Sequence, residues 1–274
     1  MTLFVLILII AVERVTVKSD KFHVTTFAQQ YFSFIRRAGF GQFSDSTLGV
    51  FVIACLPAIV IALLLWSMPL LLDFVLMLVV LWMCLGCPDT RLTYKQVLQA
   101  AARQDLQACS LHSMSLGNYS GELSKIGQHL VLINYRQYVS IILFFVVTGL
   151  PGLAFYSVIN ELSQGEKQKE QRQNDATPAD SLLFYLDWLP VRIATFGFVV
   201  VGHFSRAFGA WAHAMTTPTM NTDDILTSVS TAAEDVIEDD NPMSESLVLV
   251  QLVKRNIVLI LTVVAIATMV GLVS

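Results

Sequence analysis

The stretch LGVFVIACLPAIVIALLLW, residues Leu48–Trp66, decides the fold. Its nineteen residues carry no charge, Ser67-Met68-Pro69 turns the chain, and a second apolar run, Leu70–Gly86, follows with Asp73 as its lone ionisable group. Apolar runs of about 18 residues or more are long enough to cross a bilayer as helices, and proline suits both the end of one helix and the start of the next. Working outward, Tyr138–Ile159 and Asn256–Val273 are also free of charge. Two weaker segments complete the set. Thr2–Val17 is short and contains Glu13 and Arg14, and Leu182–Phe204 contains Asp187, Pro190 and Arg192. The expected fold is all-α: a polytopic helical membrane protein of five to six spans, with interfacial and cytoplasmic helices.

Composition agrees. The chain of 274 residues is 55% hydrophobic and 14% charged, with a mean hydropathy of +0.64; a soluble domain carries about a quarter charged residues. The lipid bilayer is therefore the first partner. No basic patch interleaves with aromatics, which argues against nucleic acid. Four cysteines are too few for a disulfide scaffold. The apolar start, Met1–Val12, lacks the basic region and small-residue cleavage site of a signal peptide and reads as retained.

The lysines and arginines orient the spans. With the N-terminus outside, 13 fall in cytoplasmic loops and 3, namely Lys167, Lys169 and Arg172, fall outside, as the excess of positive charge on the cytoplasmic side requires. On this reading residues 1–274 form a single integral membrane domain. It has a cytoplasmic helical loop over 87–137, a flexible outer loop over 161–180 and an acidic cytoplasmic region over 206–255. Phe27, Tyr31 and Ile35 share one helical face that ends in Arg36-Arg37, the pattern of a helix lying in the membrane interface.

Chemistry must come from ionisable groups in apolar surroundings, because burial there demands a partner or water. Glu13-Arg14 and the string Leu186-Asp187-Trp188-Leu189-Pro190-Val191-Arg192 are the main cases. Cys84-x-x-Cys87 with Cys109-x-x-His112 outlines a zinc site, but Cys84 sits in an apolar run and the four read better as helix-end residues, so no metal ligand is assigned. Phosphate-loop, dinucleotide, zinc-protease and serine-elbow motifs are all missing. No nucleophile can be nominated, and the reading leans away from an enzyme.

Several strings together resemble the AmpE family: the apolar start running into Glu13-Arg14, Ala101-Ala102-Arg103-Gln104-Asp105, Ile133-Asn134-Tyr135-Arg136-Gln137-Tyr138, and Leu186 to Arg192. The resemblance implies a bacterial inner-membrane, multi-pass protein tied to regulation of β-lactamase induction and to cell-wall recycling. A more distant likeness is to the amide-forming cobalamin-pathway synthases CbiB and CobD. It rests on Gly149-Leu150-Pro151-Gly152 followed by Tyr156 and Asn160, on Asp105-Leu106, and on Leu186 to Arg192. The chain departs from that pattern at Glu13-Arg14-Val15, which replaces the synthases' early glycine, aspartate and histidine strings, and at Ser163, which replaces an acid.

Two readings follow. In the first, Glu13, Arg14, Arg103, Asp105, Arg136, Tyr156, Asn160, Asp187 and Arg192 converge on one polar pocket. The protein is then a sensor or signalling modulator for a small anionic or nucleotide-like ligand, which guanidinium groups suit. The alternative is a synthase using ATP and magnesium held by Asp105 and Asp187, since magnesium takes one or two carboxylates plus phosphate. A blander scaffold reading has the same residues merely pinning helices.

Overall fold

The computed structural model describes residues 2–15, 24–39, 46–67, 69–86, 88–103, 105–116, 126–170, 177–234 and 244–271. Every regular element among them is helical: α1 (Thr2–Val15), α2 (Val24–Arg37), α3 (Thr47–Ser67), α4 (Leu70–Cys84), α5 (Pro88–Ala102), α6 (Leu106–Ser115), α7 (Ile126–Asn134), a π turn (Tyr135–Val139), α8 (Ser140–Glu170), α9 (Pro178–Val201), α10 (Phe204–Thr216), α11 (Thr222–Ala233) and α12 (Ser244–Met269).

Four stretches are long and apolar enough to cross a membrane: Thr47–Ser67, Ile126–Gly165, Pro178–Val201 and Glu245–Met269. Their large apolar side chains stand exposed, Trp66 at 85%, Val147 at 78% and Met269 at 86%, which hydrocarbon tolerates and water does not. Two of the sequence expectations exchange rank here. Leu70–Gly86 shortens to the 15-residue α4, about 22 Å of helix against a hydrocarbon core of about 30 Å. The charged segment 182–204 becomes a 24-residue helix that continues through Pro190.

A second departure concerns α8. The sequence predicts one uninterrupted span over Tyr138–Ile159, but Gly149 breaks it with φ 70° and ψ −164°. Residues 12 apart on an unbroken helix are separated by about 18 Å along the axis, yet the rings of Phe144 and Tyr156 stack at 4.3 Å between centroids. The chain must bend sharply between them. Glycine is needed at 149 because the left-handed φ penalises any Cβ, and Pro151, without a donor, leaves the ladder open beside it. Beyond the bend α8 runs on to Glu170, so the first half of the loop expected over 161–180 is helix; residues 171–176 lie outside the described residues.

The chain divides into two compact units: Met1–Gly86, Ser140–Asp187 and Val264–Ser274 form the first, and Cys87–Val139 with Trp188–Val263 the second. In the first, Val50, Ala54, Tyr156, Ile159, Leu162 and Leu183 make a buried core, with Tyr31, Phe32 and Phe155 packed against it. Phe51 meets Phe155 edge to face at 5.4 Å. Proline also dictates how α2 docks. Pro57 has no N–H, so the carbonyl of Ile53, four residues back, lacks its helical donor, and the Tyr31 hydroxyl donates to that carbonyl at 2.8 Å.

The second unit is held by close backbone approach. A Cβ added to Gly197 would lie 2.0 Å from Asn256 Oδ1, and one on Gly127 would lie 3.0 Å from the Ser246 Cα. Small residues let membrane helices approach in this way. Asn256 uses the proximity, donating Nδ2–H to the Ala194 carbonyl at 3.0 Å. Val97, Leu116, Ile126 and Leu130 form a smaller core among α5, α6 and α7.

Candidate functional site

The first unit carries a polar seam along α8 and α9. Tyr156, buried completely, donates its hydroxyl to Asp187 Oδ1 at 3.1 Å, and Asp187 is itself 1% exposed. One helical turn on from Tyr156, and so on the same face, Asn160 accepts from Gln164 Nε2 at 3.1 Å. Further along, the Ser163 hydroxyl donates to Asp180, whose other oxygen receives the Thr177 amide and hydroxyl. The pairing runs in register, 156 with 187 and 163 with 180, because consecutive antiparallel helices place equal steps opposite one another. Ser157, also buried, donates to the Cys84 sulfur at 3.5 Å.

Beside the seam lies a cavity of about 560 Å³, walled by Thr25, Gln29, Phe32 and Arg36 of α2 and by Glu161 and Gln164 of α8. Gln164 joins it to the seam, since the same side chain reaches Asn160. The lysine and arginine tally assigns α2 to the cytoplasmic side and 161–180 to the outer side. In the structure both segments contribute walls to this one cavity.

The second unit treats its ionisable residues differently. Arg192, 3% exposed, donates to the carbonyls of Trp188 at 2.7 Å, Ala214 at 3.0 Å and Thr217 at 3.4 Å. Its guanidinium also lies 4.3 Å over the Trp188 ring. Ala214 and Thr217 stand at the C-terminal end of α10, where carbonyls lack helical donors and the dipole is negative, so a cation is the natural cap. Trp211 Nε1 donates in turn to the Arg192 carbonyl at 3.1 Å. Arg136, in the π turn, pairs with Asp223 at 3.2 Å. Asp105 caps the start of α6, accepting the Ala108 amide at 3.0 Å.

The nine residues expected to share one pocket therefore sort into local arrangements. Tyr156 and Asp187 meet, and Asn160 lies on their face of α8. Asp187 and Arg192, five apart on α9, engage different partners. Glu13 is buried on α1; the side chain of Arg14 lies outside the described residues. Arg103 and Asp105 are exposed. The cavity residues Thr25, Gln29, Arg36, Glu161 and Gln164 were not singled out as site candidates from the sequence. Their one legible signal was the amphipathic face of α2. Among the described residues no three His, Cys, Asp or Glu side chains are grouped to hold a metal ion. Cys84 and Cys109 are buried cysteines outside any disulfide among the described residues, and Cys87 lies outside the described residues. Burial, and then the Asp105 carboxylate, hold the Cys109 thiol above its ordinary value.

Long apolar helices with exposed hydrocarbon-facing surfaces and buried polar contacts define a polytopic helical membrane protein. The chain belongs to the AmpE family: the family model described as "Regulatory signalling modulator protein AmpE" matches residues 1–274. It is also similar to "Protein AmpE" of Shigella flexneri, 27% identical over 77% of this chain and 78% of that protein. No solved structure matches it. Family membership carries a role in regulatory signalling. The likeness to the cobalamin-pathway synthases stays a resemblance of short strings.

Proposed function

We propose that the protein is an inner-membrane sensor or signalling modulator linked to β-lactamase induction and cell-wall recycling, and that it responds to an anionic or nucleotide-like ligand at the α8–α9 seam. The observation that carries this reading is the Tyr156–Asp187 pair, buried in the first unit. A carboxylate in such surroundings is costly and is kept where it performs a task. The family description, a regulatory signalling modulator, supplies the class of task.

The mechanism is a shift between two helix arrangements. A ligand moves such an equilibrium only by its difference in affinity for the two states. The bend at Gly149 places Phe144 on Tyr156, so a change at the Asp187 contact is transmitted directly to both arms of α8. A ligand that takes the place of Asp187 as acceptor of the Tyr156 hydroxyl releases that arm.

The test is β-lactamase induction in cells that depend on this chain, measured at equal membrane abundance for the parent, Tyr156→Phe and Asp187→Asn. Both variants are expected to change the induced level by roughly tenfold, the effect of losing one charge-assisted bond. Unchanged induction in both would end this reading.

A further inference from the structure

We propose that the cavity between α2 and α8 binds a zwitterion, an oxyanion seated on Arg36 and a primary ammonium seated on Glu161. The argument begins with the walls. Arg36 comes from α2 and Glu161 from α8, and both line the same cavity of about 560 Å³. They do not satisfy each other: among the described residues neither side chain makes a hydrogen bond or ion pair. A guanidinium and a carboxyl group left apart across one hollow are complementary to a molecule carrying an oxyanion and an ammonium.

The remaining lining fits the same ligand. Gln29 and Gln164 offer amide donors and acceptors between the two charges, and Phe32 gives an apolar wall. Guanidinium binds phosphate or carboxylate through paired N–H groups, whereas a carboxylate accepts from each hydrogen of an ammonium. A purely anionic ligand would leave Glu161 facing like charge, and a purely cationic one would do so to Arg36. The volume exceeds that of a small ion and suits a headgroup or a small amino acid derivative.

The position of α2 favours delivery from the bilayer surface. Phe27 and Phe34, on the side of α2 away from the core, are 43% and 67% exposed, the pattern of a helix suited to the layer where lipid headgroups are concentrated. The same chemistry exists in free form, in which case the cavity is filled from solution. This site stands apart from the seam reading and does not depend on signalling.

The experiment uses the full chain in nanodiscs containing equal phosphatidylethanolamine and phosphatidylglycerol, with retained lipid counted by native mass spectrometry. Soluble phosphoethanolamine is offered as a competitor. Selective retention of phosphatidylethanolamine, reduced roughly tenfold or more by Glu161→Gln and by Arg36→Gln, supports a lipid-filled site. Binding of phosphoethanolamine without lipid selectivity, lost in the same variants, supports a soluble zwitterion. Equal retention of both lipids with no phosphoethanolamine binding overturns the proposal, as does insensitivity to both substitutions. Should a variant fail to fold, a photoreactive phosphatidylethanolamine labelled on its acyl chain next to the glycerol, which leaves the amine free, decides on the parent protein, with soluble phosphoethanolamine as competitor. Crosslinks within 25–36 and 161–165 support the site, and their absence together with no phosphoethanolamine binding overturns it.

Discussion

In the first compact unit the buried acid Asp187 is met by another side chain, while in the second the buried base Arg192 is met by main-chain carbonyls. Both lie on α9, and both looked alike in sequence as charges in an apolar run. A tyrosine hydroxyl is a partner that a ligand can displace, because water or an anion replaces one hydrogen bond. Among the described residues the Ala214 carbonyl, in the last turn of α10, has Arg192 as its donor while that of Thr217 also accepts the Met220 amide, so displacing Arg192 uncaps the end of a helix. The first arrangement is suited to switching and the second to holding.

The sharpest way to break this contrast is Arg192→Ala. Leaving the Ala214 carbonyl without its donor inside the protein, and losing the guanidinium's contact with the Trp188 ring, should cost about 2–4 kcal/mol, read as a fall in the thermal midpoint and in membrane abundance. Loss of signalling without loss of stability would place Arg192 in the switching class instead.

Gly197→Ala tests the holding class from the other side. Its new Cβ would meet Asn256 Oδ1 at 2.0 Å, and a cost of about 1–3 kcal/mol is expected for such overpacking. Asn256→Ala in the same molecule should recover part of it. Within the first unit, a double-mutant cycle of Tyr156→Phe and Asp187→Asn should give a coupling of about 1–2 kcal/mol. A coupling near zero would make the pair incidental.

Smaller still is Tyr31→Phe, expected to cost about 1 kcal/mol. In a Pro57→Ala background, where residue 57 again donates to the Ile53 carbonyl, the same change should cost almost nothing. A pH measurement gives the smallest effect. Because burial and Asp105 raise the Cys109 thiol, less thiolate is present at neutral pH and alkylation should be slow, rising as pH climbs past the ordinary thiol value. Asp105→Asn keeps a competent cap, since asparagine caps as well as aspartate, and should speed the reaction slightly. Equal rates would show that burial alone sets the thiol.

The helical membrane class was legible because uncharged runs such as Leu48–Trp66 admit few other solutions. The prominence of Asp187 was legible for the same reason. The bend at Gly149 was harder to read: Gly-Leu-Pro-Gly is compatible with a kinked or a straight membrane helix, and only the Phe144–Tyr156 contact separates them. The partners of Arg192 and Asp105 were not readable, since the carbonyls that accept from the one and the amide that donates to the other belong to the backbone and leave no residue-type signature. The cavity was missed because its walls come from segments over a hundred residues apart, one of them read as a loop for its Gln-, Lys- and Glu-rich composition without apolar periodicity.

The most direct test compares Asp187→Asn with Arg192→Ala in one reporter strain, dividing β-lactamase induction by the amount of folded protein in the membrane. Asp187→Asn is expected to change the response per molecule by roughly tenfold with little change in abundance. Arg192→Ala should lower abundance and leave the response per surviving molecule near the parent's. The reverse pattern, with Asp187→Asn losing only protein and Arg192→Ala losing only response, would contradict the account.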